Sequence, residues 1–379
     1  MKSENTTYER YQRQMILKEF GEAGQQKLSQ SKVLVIGAGG LGCPALQYLA
    51  AAGVGTIGIV DDDIVAISNL HRQPLYSTFD IGFSKAATAK SHLTKLNPDI
   101  QLIAYNERLT TQNALTIIEK FDIIIDGTDN FASRYLVNDA CVLLNKILVY
   151  GAVSQFEGQV AVFNYQNRNG DAAVNYRDLF PTPLKDGEIL NCAEAGVLGI
   201  LPGIIGTMLA NETIKLITGI GKPLINTLLT YNALNNRMYE ISLSANAITQ
   251  SLIPNNKAAF EAMNYEWLCS SGNARFEIDI ATFNQLQNLP LVKIIDVREL
   301  NEQPLPTGFD FTKIPLSQIK EQAASIKDET VILFCQSGKR SLQAAEWLFD
   351  KFGESKKIYS LKGGILNWIN HSSTQYNGR

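Results

Sequence analysis

The chain has 379 residues, 45% hydrophobic and 19% charged, enough to bury two cores, since a single core stops growing at roughly 250–300 residues. A formal net charge of -3 leaves no surplus of Lys and Arg to neutralise a phosphate backbone, and no local basic patch compensates, so nucleic acid is excluded as the expected partner. Five cysteines, at 43, 141, 192, 269 and 335, form no disulfide framework, and reduced thiols are expected.

The first segment, MKSENTTYERYQRQ, is polar and lacks the apolar core of a signal peptide, which predicts a cytoplasmic protein. From residue 33 apolar runs alternate with helical patterns. VLVI (33–36) precedes a glycine turn and the helical PALQYLAAAG, followed by TIGIV (56–60). SKAATAKSHLTKL stops at Asn97-Pro98, QLIAY and FDIII (121–125) read as strands, and a helix at about 131–145 leads to ILVYGA. Repeated strand–helix cycles with continuous apolar strands predict an α/β, Rossmann-like, mostly parallel sheet with helices on both faces. After about 155, QVAVFN, TLLTY and RMYEIS read as later strands, separated by a polar loop (165–191) and an apolar segment. That loop is long enough to be functional. The apolar segment AGVLGILPGIIGTMLA (195–210) is short of the roughly 20 residues of a bilayer span and contains Pro202, so it is expected as a core helix and no membrane as a partner.

Residues of about 245–275 are rich in Asn, Ala and Ser with weak periodicity, which places a linker at 246–274 between a domain over 1–245 and another over 275–379. A second strand–helix cycle follows through IDIATFNQL, VKIIDVRE, ETVILFC, a helix at 341–352, KIYSL and GGILNWI. About a hundred residues suffice for a small α/β domain.

Gly37, Gly39 and Gly42 in GAGGLG follow a strand and open a helix. Glycines there let the backbone turn tightly against phosphates, and the helix start offers unpaired N–H groups. Asp61 ends the next strand, where a carboxylate can accept from ribose hydroxyls. On these residues alone an NAD-dependent dehydrogenase is the default reading. RYQRQ (10–14), DDDIVAISNLHRQ (61–73), Lys85 and DGTDN (126–130) add basic, acidic and amide groups around the same turn. Arg and Lys complement a triphosphate and Asp129 can hold magnesium, neither of which hydride transfer needs.

These motifs, from about residue 8 to 243, resemble the MoeB/ThiF adenylating enzymes, relatives of the ubiquitin-activating enzymes. The resemblance implies an ATP- and magnesium-dependent homodimer that adenylates the C-terminal Gly-Gly carboxylate of a ubiquitin-like sulfur carrier protein. It puts Gly40 and Asp61 at the nucleotide, Ser68, Asn69, Leu70, His71 and Arg72 along its phosphate and ribose side, and Lys85 at the phosphates. Asp129 and Asn130 complete the magnesium and ATP site, and Arg13 of the RYQRQ motif reaches the ATP of the other subunit. Cys192, in LNCAEAGVLG beside an apolar segment, reads by context equally as a packed thiol or as a reactive one. The resemblance makes it the candidate for a covalent link to the carrier. Many relatives also bind zinc through two C-x-x-C pairs. Here the first falls on NYRD (Asn175–Asp178) and only Cys269 remains near the second, so no zinc site is expected, and Cys269, Cys43 and Cys141 read as packed thiols.

Cys335 begins CQSGKRS between the strand VILF and the helix LQAAEWLF. Such a loop turns backbone N–H groups inward, and Gly338, Lys339 and Arg340 with the helix start favour a negative sulfur. Cys-x4-Arg is one residue tighter than the Cys-x5-Arg loop of cysteine phosphatases, which suits a persulfide rather than a phosphoryl group. With IDVRE (295–299) and LKGGILNW (361–368), the region 275–372 resembles a rhodanese domain, whose cysteine carries transferable sulfur. Asp296 and Arg298 are expected to be structural, tying strand ends to the active-site loop. The usual histidine-containing stretch after DVRE is replaced by PLPTGFDFTKIP.

The combined expectation is ATP-dependent activation of a MoaD-like carrier and its sulfuration from Cys335, loaded by a donor such as a cysteine desulfurase, as in molybdopterin biosynthesis. A ThiS-like carrier for thiamine is the alternative within the class, and an inactive scaffold binding a ubiquitin-like protein is the alternative outside it.

Overall fold

The computed structural model describes residues 4–166, 173–181, 196–265, 276–306 and 308–369. They fall into two compact units that divide after Tyr265.

The first unit opens with α1 (Glu4–Met15) and α2 (Gly21–Gln30), then runs through β1 (Lys32–Ile36), α3 (Gly42–Ala52), β2 (Thr56–Val60), α4 (Lys85–Leu96) and β3 (Gln101–Tyr105). It continues with α5 (Ala114–Ile118), β4 (Ile123–Asp126), α6 (Phe131–Leu143), β5 (Ile147–Ser154), β6 (Glu157–Phe163) and α7 (Tyr176–Leu179). Then come α8 (Ile200–Thr218), β7 (Thr227–Asn232), β8 (Arg237–Ser242), α9 (Ala247–Gln250) and α10 (Lys257–Glu261). The sheet order is β3-β2-β1-β4-β5-β6-β7-β8. The first five strands pair in parallel and the pairs from β5 onward are antiparallel. Val33 and Val35 of β1, Ile57 and Ile59 of β2 and Ile125 of β4 are wholly buried, as expected of strands covered on both faces.

Order reverses between β1 and β4, because the chain leaves β1 toward β2 on one side and returns on the other. In open α/β sheets the crevice at such a switch point lies beyond the C-terminal strand ends. GAGGLG follows β1, DDD follows β2 and DGTDN spans the end of β4. Three motifs far apart in sequence therefore meet at one edge.

By length and composition α8 could cross a membrane. Its Leu201, Ile205 and Leu209 instead lie in the main core, and it packs on α3, β5 and β6. Residues 246–265, within the stretch expected to be a linker, carry α9 and α10 and dock on this unit: Asn246 N donates to Asp178 Oδ1 at 3.0 Å, Thr249 Oγ1 donates to the same oxygen, and Tyr265 donates to Asp139.

The second unit contains β9 (Glu277–Ile278), α11 (Ile280–Leu286), β10 (Val292–Asp296), β11 (Thr312–Lys313), α12 (Ile319–Gln322), β12 (Thr330–Phe334), α13 (Lys339–Phe352) and β13 (Lys357–Leu361). Its sheet, β11-β10-β12-β13-β9, is parallel throughout. Alternate residues of the central strands feed two cores: Val331 and Leu333 one, Ile332 and Phe334 the other.

Candidate active sites

A cavity of about 410 Å³ opens at the switch point of the first sheet. Gly37, Gly39 and Gly40 form one wall, and Asp61, Asn69 and Arg72 border it, as do Lys85, Asp129 and Asn130. The glycine loop is braced from β2: Asp61 Oδ2 accepts from Ala38 N at 2.7 Å and Oδ1 from Asp63 N at 2.9 Å. Burial pushes the Asp61 carboxyl above its ordinary value, against the pull of Lys85 and these two N–H groups. Two bonds leave lone pairs on that carboxylate for further donors such as hydroxyls.

Gly42 does not line the cavity. A Cβ there would lie 1.8 Å from Gly37 O, and Gly37 itself has φ +89°, so this pair sets how closely α3 closes on the loop. Ser68, Leu70 and His71 also lie outside the lining. Ser68 acts through its backbone, whose carbonyl accepts from Arg72 Nη1 at 2.9 Å. Arg13 is in the exposed last turn of α1 and is no part of the cavity of its own chain. Lys85 begins α4 with its side chain 6% exposed, and its Nζ is 2.8 Å from Oδ2 of Asp63. Asp63, the third aspartate of DDD, lines the cavity as well, and its place in that run is the sequence signal for it.

Gln73, Arg108, Thr128 and Arg134 border the cavity too. Gln73 was signalled by the end of SNLHRQ, whereas no pattern in the sequence marks Arg108. Below the rim, Asp126 Oδ1 accepts from the N–H and hydroxyl of Thr128 at 2.9 and 2.7 Å, while Oδ2 finds no hydrogen-bond partner among the described residues. Burial pushes this carboxyl up, opposed by Arg134. Among the described residues no group of three or more His, Cys, Asp or Glu could hold a metal by itself. Asp129 is exposed at the cavity. A lone oxygen ligand fits magnesium, which keeps waters and shares phosphate oxygens, better than a metal that needs a full protein cage.

Of Asn175–Asp178, Asn175 caps α7 and the other three residues lie in the helix. Arg177 Nε and Nη2 donate to Asp139 at 2.8 and 2.6 Å, and Tyr265 OH donates to the same carboxylate at 2.9 Å. Asp139 is 0% and Arg177 2% exposed, so the charges are desolvated and paired. Cys43 and Cys141 are buried thiols; burial pushes Cys43 up to about 12 and raises Cys141. Cys192 and Cys269, with most of the polar loop, lie outside the described residues.

In the second unit Cys335 directly follows β12 and is 1% exposed. Its Sγ accepts from Gly338 N at 3.1 Å and from Ser341 Oγ at 3.7 Å, and Ser341 is paired with Ser360 at 2.8 Å between their hydroxyls. A Cβ on Gly364 would lie 2.5 Å from Cys335 O, so the GG turn of LKGGILNW underlies the loop. Lys339 and Arg340 open α13. Arg340 meets Glu302 in a two-pronged pair, Nη1 to Oε1 at 2.6 Å and Nη2 to Oε2 at 2.7 Å. Hydrogen bonds from Arg340 hold the Glu302 carboxyl down at about 2. Asp296 and Arg298 are wholly buried and joined through Nε and Nη2, and Arg298 Nη1 donates to Pro304 O at 2.9 Å. They tie the end of β10 to the following loop.

The model of the ThiF family matches residues 11–251 and that of the rhodanese-like domain residues 279–371. The chain is 51% identical over 238 residues to a sulfur carrier protein adenylyltransferase of Thermus thermophilus, covering 63% of this chain and 88% of the relative. It is 40% identical to the probable adenylyltransferase/sulfurtransferase MoeZ of Mycobacterium tuberculosis, covering 95% and 92%. With the adenylyltransferase and sulfurtransferase MOCS3 of Aedes aegypti it shares 44% identity, covering 99% and 90%. The crystal structure of E. coli MccB shares the fold at a TM-score of 0.55 and 21% identity, over 63% of this chain and 71% of that one.

Proposed function

The chain belongs to the ThiF family and carries a rhodanese-like domain behind it, and from that premise we infer an enzyme that is both an adenylyltransferase and a sulfurtransferase. Its substrates are ATP and the C-terminal carboxylate of a ubiquitin-like sulfur carrier, MoaD-like as in molybdopterin biosynthesis; a ThiS-like carrier is the alternative within the class. The observation that carries the reading is the cavity at the switch point, where a glycine loop, the cations of Arg72, Lys85, Arg108 and Arg134, and the exposed Asp129 converge.

In this reading the N–H groups of the Gly37–Gly42 loop receive phosphate oxygens and Asp61 takes the ribose hydroxyls. Arg72 and Lys85 neutralise the charge that develops as the carrier carboxylate displaces pyrophosphate. Lys85 must then exchange Asp63 for phosphate. Magnesium, held by Asp129 with Asn130 beside it, supplies further neutralisation of the phosphates when bound. Arg13 serves the cavity of the second subunit of a homodimer. Cys192 displaces AMP from the acyl adenylate to form a transient thioester link to the carrier, and the persulfide of Cys335, loaded from a donor such as a cysteine desulfurase, attacks that acyl group and expels the Cys192 thiolate. A reducing thiol then attacks Cys335 Sγ of the acyl disulfide, which frees the carrier thiocarboxylate. Joining both activities in one chain raises the effective concentration of each intermediate for the other. We assign residues 1–245 to activation and 275–379 to sulfur transfer in a cytoplasmic enzyme.

Carrier-dependent exchange of pyrophosphate into ATP tests the assignment. Wild-type protein exchanges and Asp129→Ala does not; robust exchange by the variant refutes the site. Carrier binding with no exchange in the wild type would favour an inactive scaffold.

A further inference from the structure

We propose that Glu302, by holding the Arg340 guanidinium in a two-pronged ion pair at the end of the Cys335 loop, selects an alkyl persulfide over the thiosulfate dianion as sulfur donor. This deepens the reading of Cys335 as the sulfur acceptor and rests on it.

An arginine fork matches oxyanions because two parallel N–H groups meet two oxygens. Here Glu302 already occupies that geometry through Nη1 and Nη2 at 2.6 and 2.7 Å. The side chains of Arg340 and Glu302 are 35% and 25% exposed. Most ion pairs that wet contribute little, ideal bidentate ones being the exception. Glu302 is also fixed from its own side: its Oε1 accepts from Glu299 N at 2.8 Å and its N–H bonds Glu299 O at 3.1 Å. Arg298, anchored to buried Asp296, grips Pro304 two residues further on. The carboxylate is therefore built into a braced turn rather than carried on a free side chain.

The pair carries no net charge, and the groups that touch Cys335 Sγ, the Gly338 N–H and the Ser341 hydroxyl, are neutral donors. The thiosulfate dianion finds the fork that would match its oxygens filled and a carboxylate beside it. An alkyl persulfide needs no oxyanion site. The Cys335 thiolate attacks the terminal sulfur of R–S–SH, the new S–S bond leaves Cys335–S–SH, and R–S⁻ departs with the electron pair of the broken bond. With thiosulfate the same attack would expel sulfite.

The test uses the full chain and compares kcat/KM for loading Cys335 from thiosulfate and from 2-hydroxyethyl persulfide, an alkyl donor with no oxyanion group. Glu302→Gln is expected to raise the thiosulfate-to-persulfide ratio about tenfold, chiefly through the KM for thiosulfate, the scale of removing one charge facing a dianion. Glu302→Asp, which keeps the charge, is expected to hold the ratio near wild type, and adding Arg340→Gln to Glu302→Gln to erase the gain. A ratio unchanged in Glu302→Gln, with persulfide still loading Cys335, overturns the proposal alone. Loading of wild-type Cys335 by neither donor overturns the acceptor reading and the proposal with it.

Discussion

At the end of β1 the loop of residues 37–41 opens onto about 410 Å³ of charged cavity, whereas at the end of β12 the loop of residues 335–338 closes on the sulfur of Cys335, a residue 1% exposed. Both loops lie between a parallel strand and a helix, and both rely on glycine. The first is propped from the next strand by Asp61 and leaves its polar groups facing a void. The second turns its own N–H inward on Cys335 and sits on Gly364. The same strand–loop–helix device thus serves a ligand arriving from solution, which needs volume and countercharge, and an atom carried by the protein, which needs only a cradle.

The sharpest way to break this comparison is to silence each site separately. Cys335→Ser is expected to lower persulfide formation by more than about a thousandfold, the scale for losing a nucleophile, with pyrophosphate exchange intact. Asp129→Ala is expected to do the reverse, and loss of both activities in either variant would show the two sites to be coupled. Next in size, Arg177→Ala strands Asp139 in the core of the first unit. It is expected to destabilise that unit by about 3–5 kcal/mol in urea unfolding, with the transition of the second unit unmoved. Glycine substitutions come third. Gly42→Ala drives a Cβ into Gly37 O and Gly364→Ala drives one into Cys335 O. Each is expected to destabilise its own unit by about 1–3 kcal/mol, as overpacking does, and to impair only its own activity.

The smallest effect is acid titration, which acts on the two sites with opposite sign. Glu302, held down from 4.5 to about 2, contributes stability that is present above pH 4.5 and lost as pH falls toward 2. Being partly exposed, it is worth at most about 1 kcal/mol. Asp61 and Asp126, raised above 3.8 by burial, bind a proton more tightly when folded. Their contribution is complete below 3.8 and lost as pH rises through their folded values. Urea midpoints followed from pH 5 to 3 should fall for the second unit, less so in Glu302→Gln; an equal fall in the variant would remove Glu302 as the cause.

Strand and helix periodicity in the sequence determined the parallel strands β1 to β5, the second α/β cycle and the glycine, DDD and DGTDN motifs, because local sterics and burial write themselves into neighbouring residues. It could not rank the members of those motifs. Ser68, Leu70 and His71 share a turn with Asn69 and Arg72, yet only the latter two line the cavity, since that depends on where the turn faces after folding. The sequence also read residues 246–265 as connective; their hydrogen bonds run to Asp139 and Asp178, more than sixty residues away, and short polar helices carry no periodic signal of a distant dock. Only tertiary structure paired Lys85 with Asp63 and Arg340 with Glu302. The sequence fixes which charges exist, but the strand order and the loops between strands decide which of them come within 3 Å of each other, and charge pairing depends on that distance.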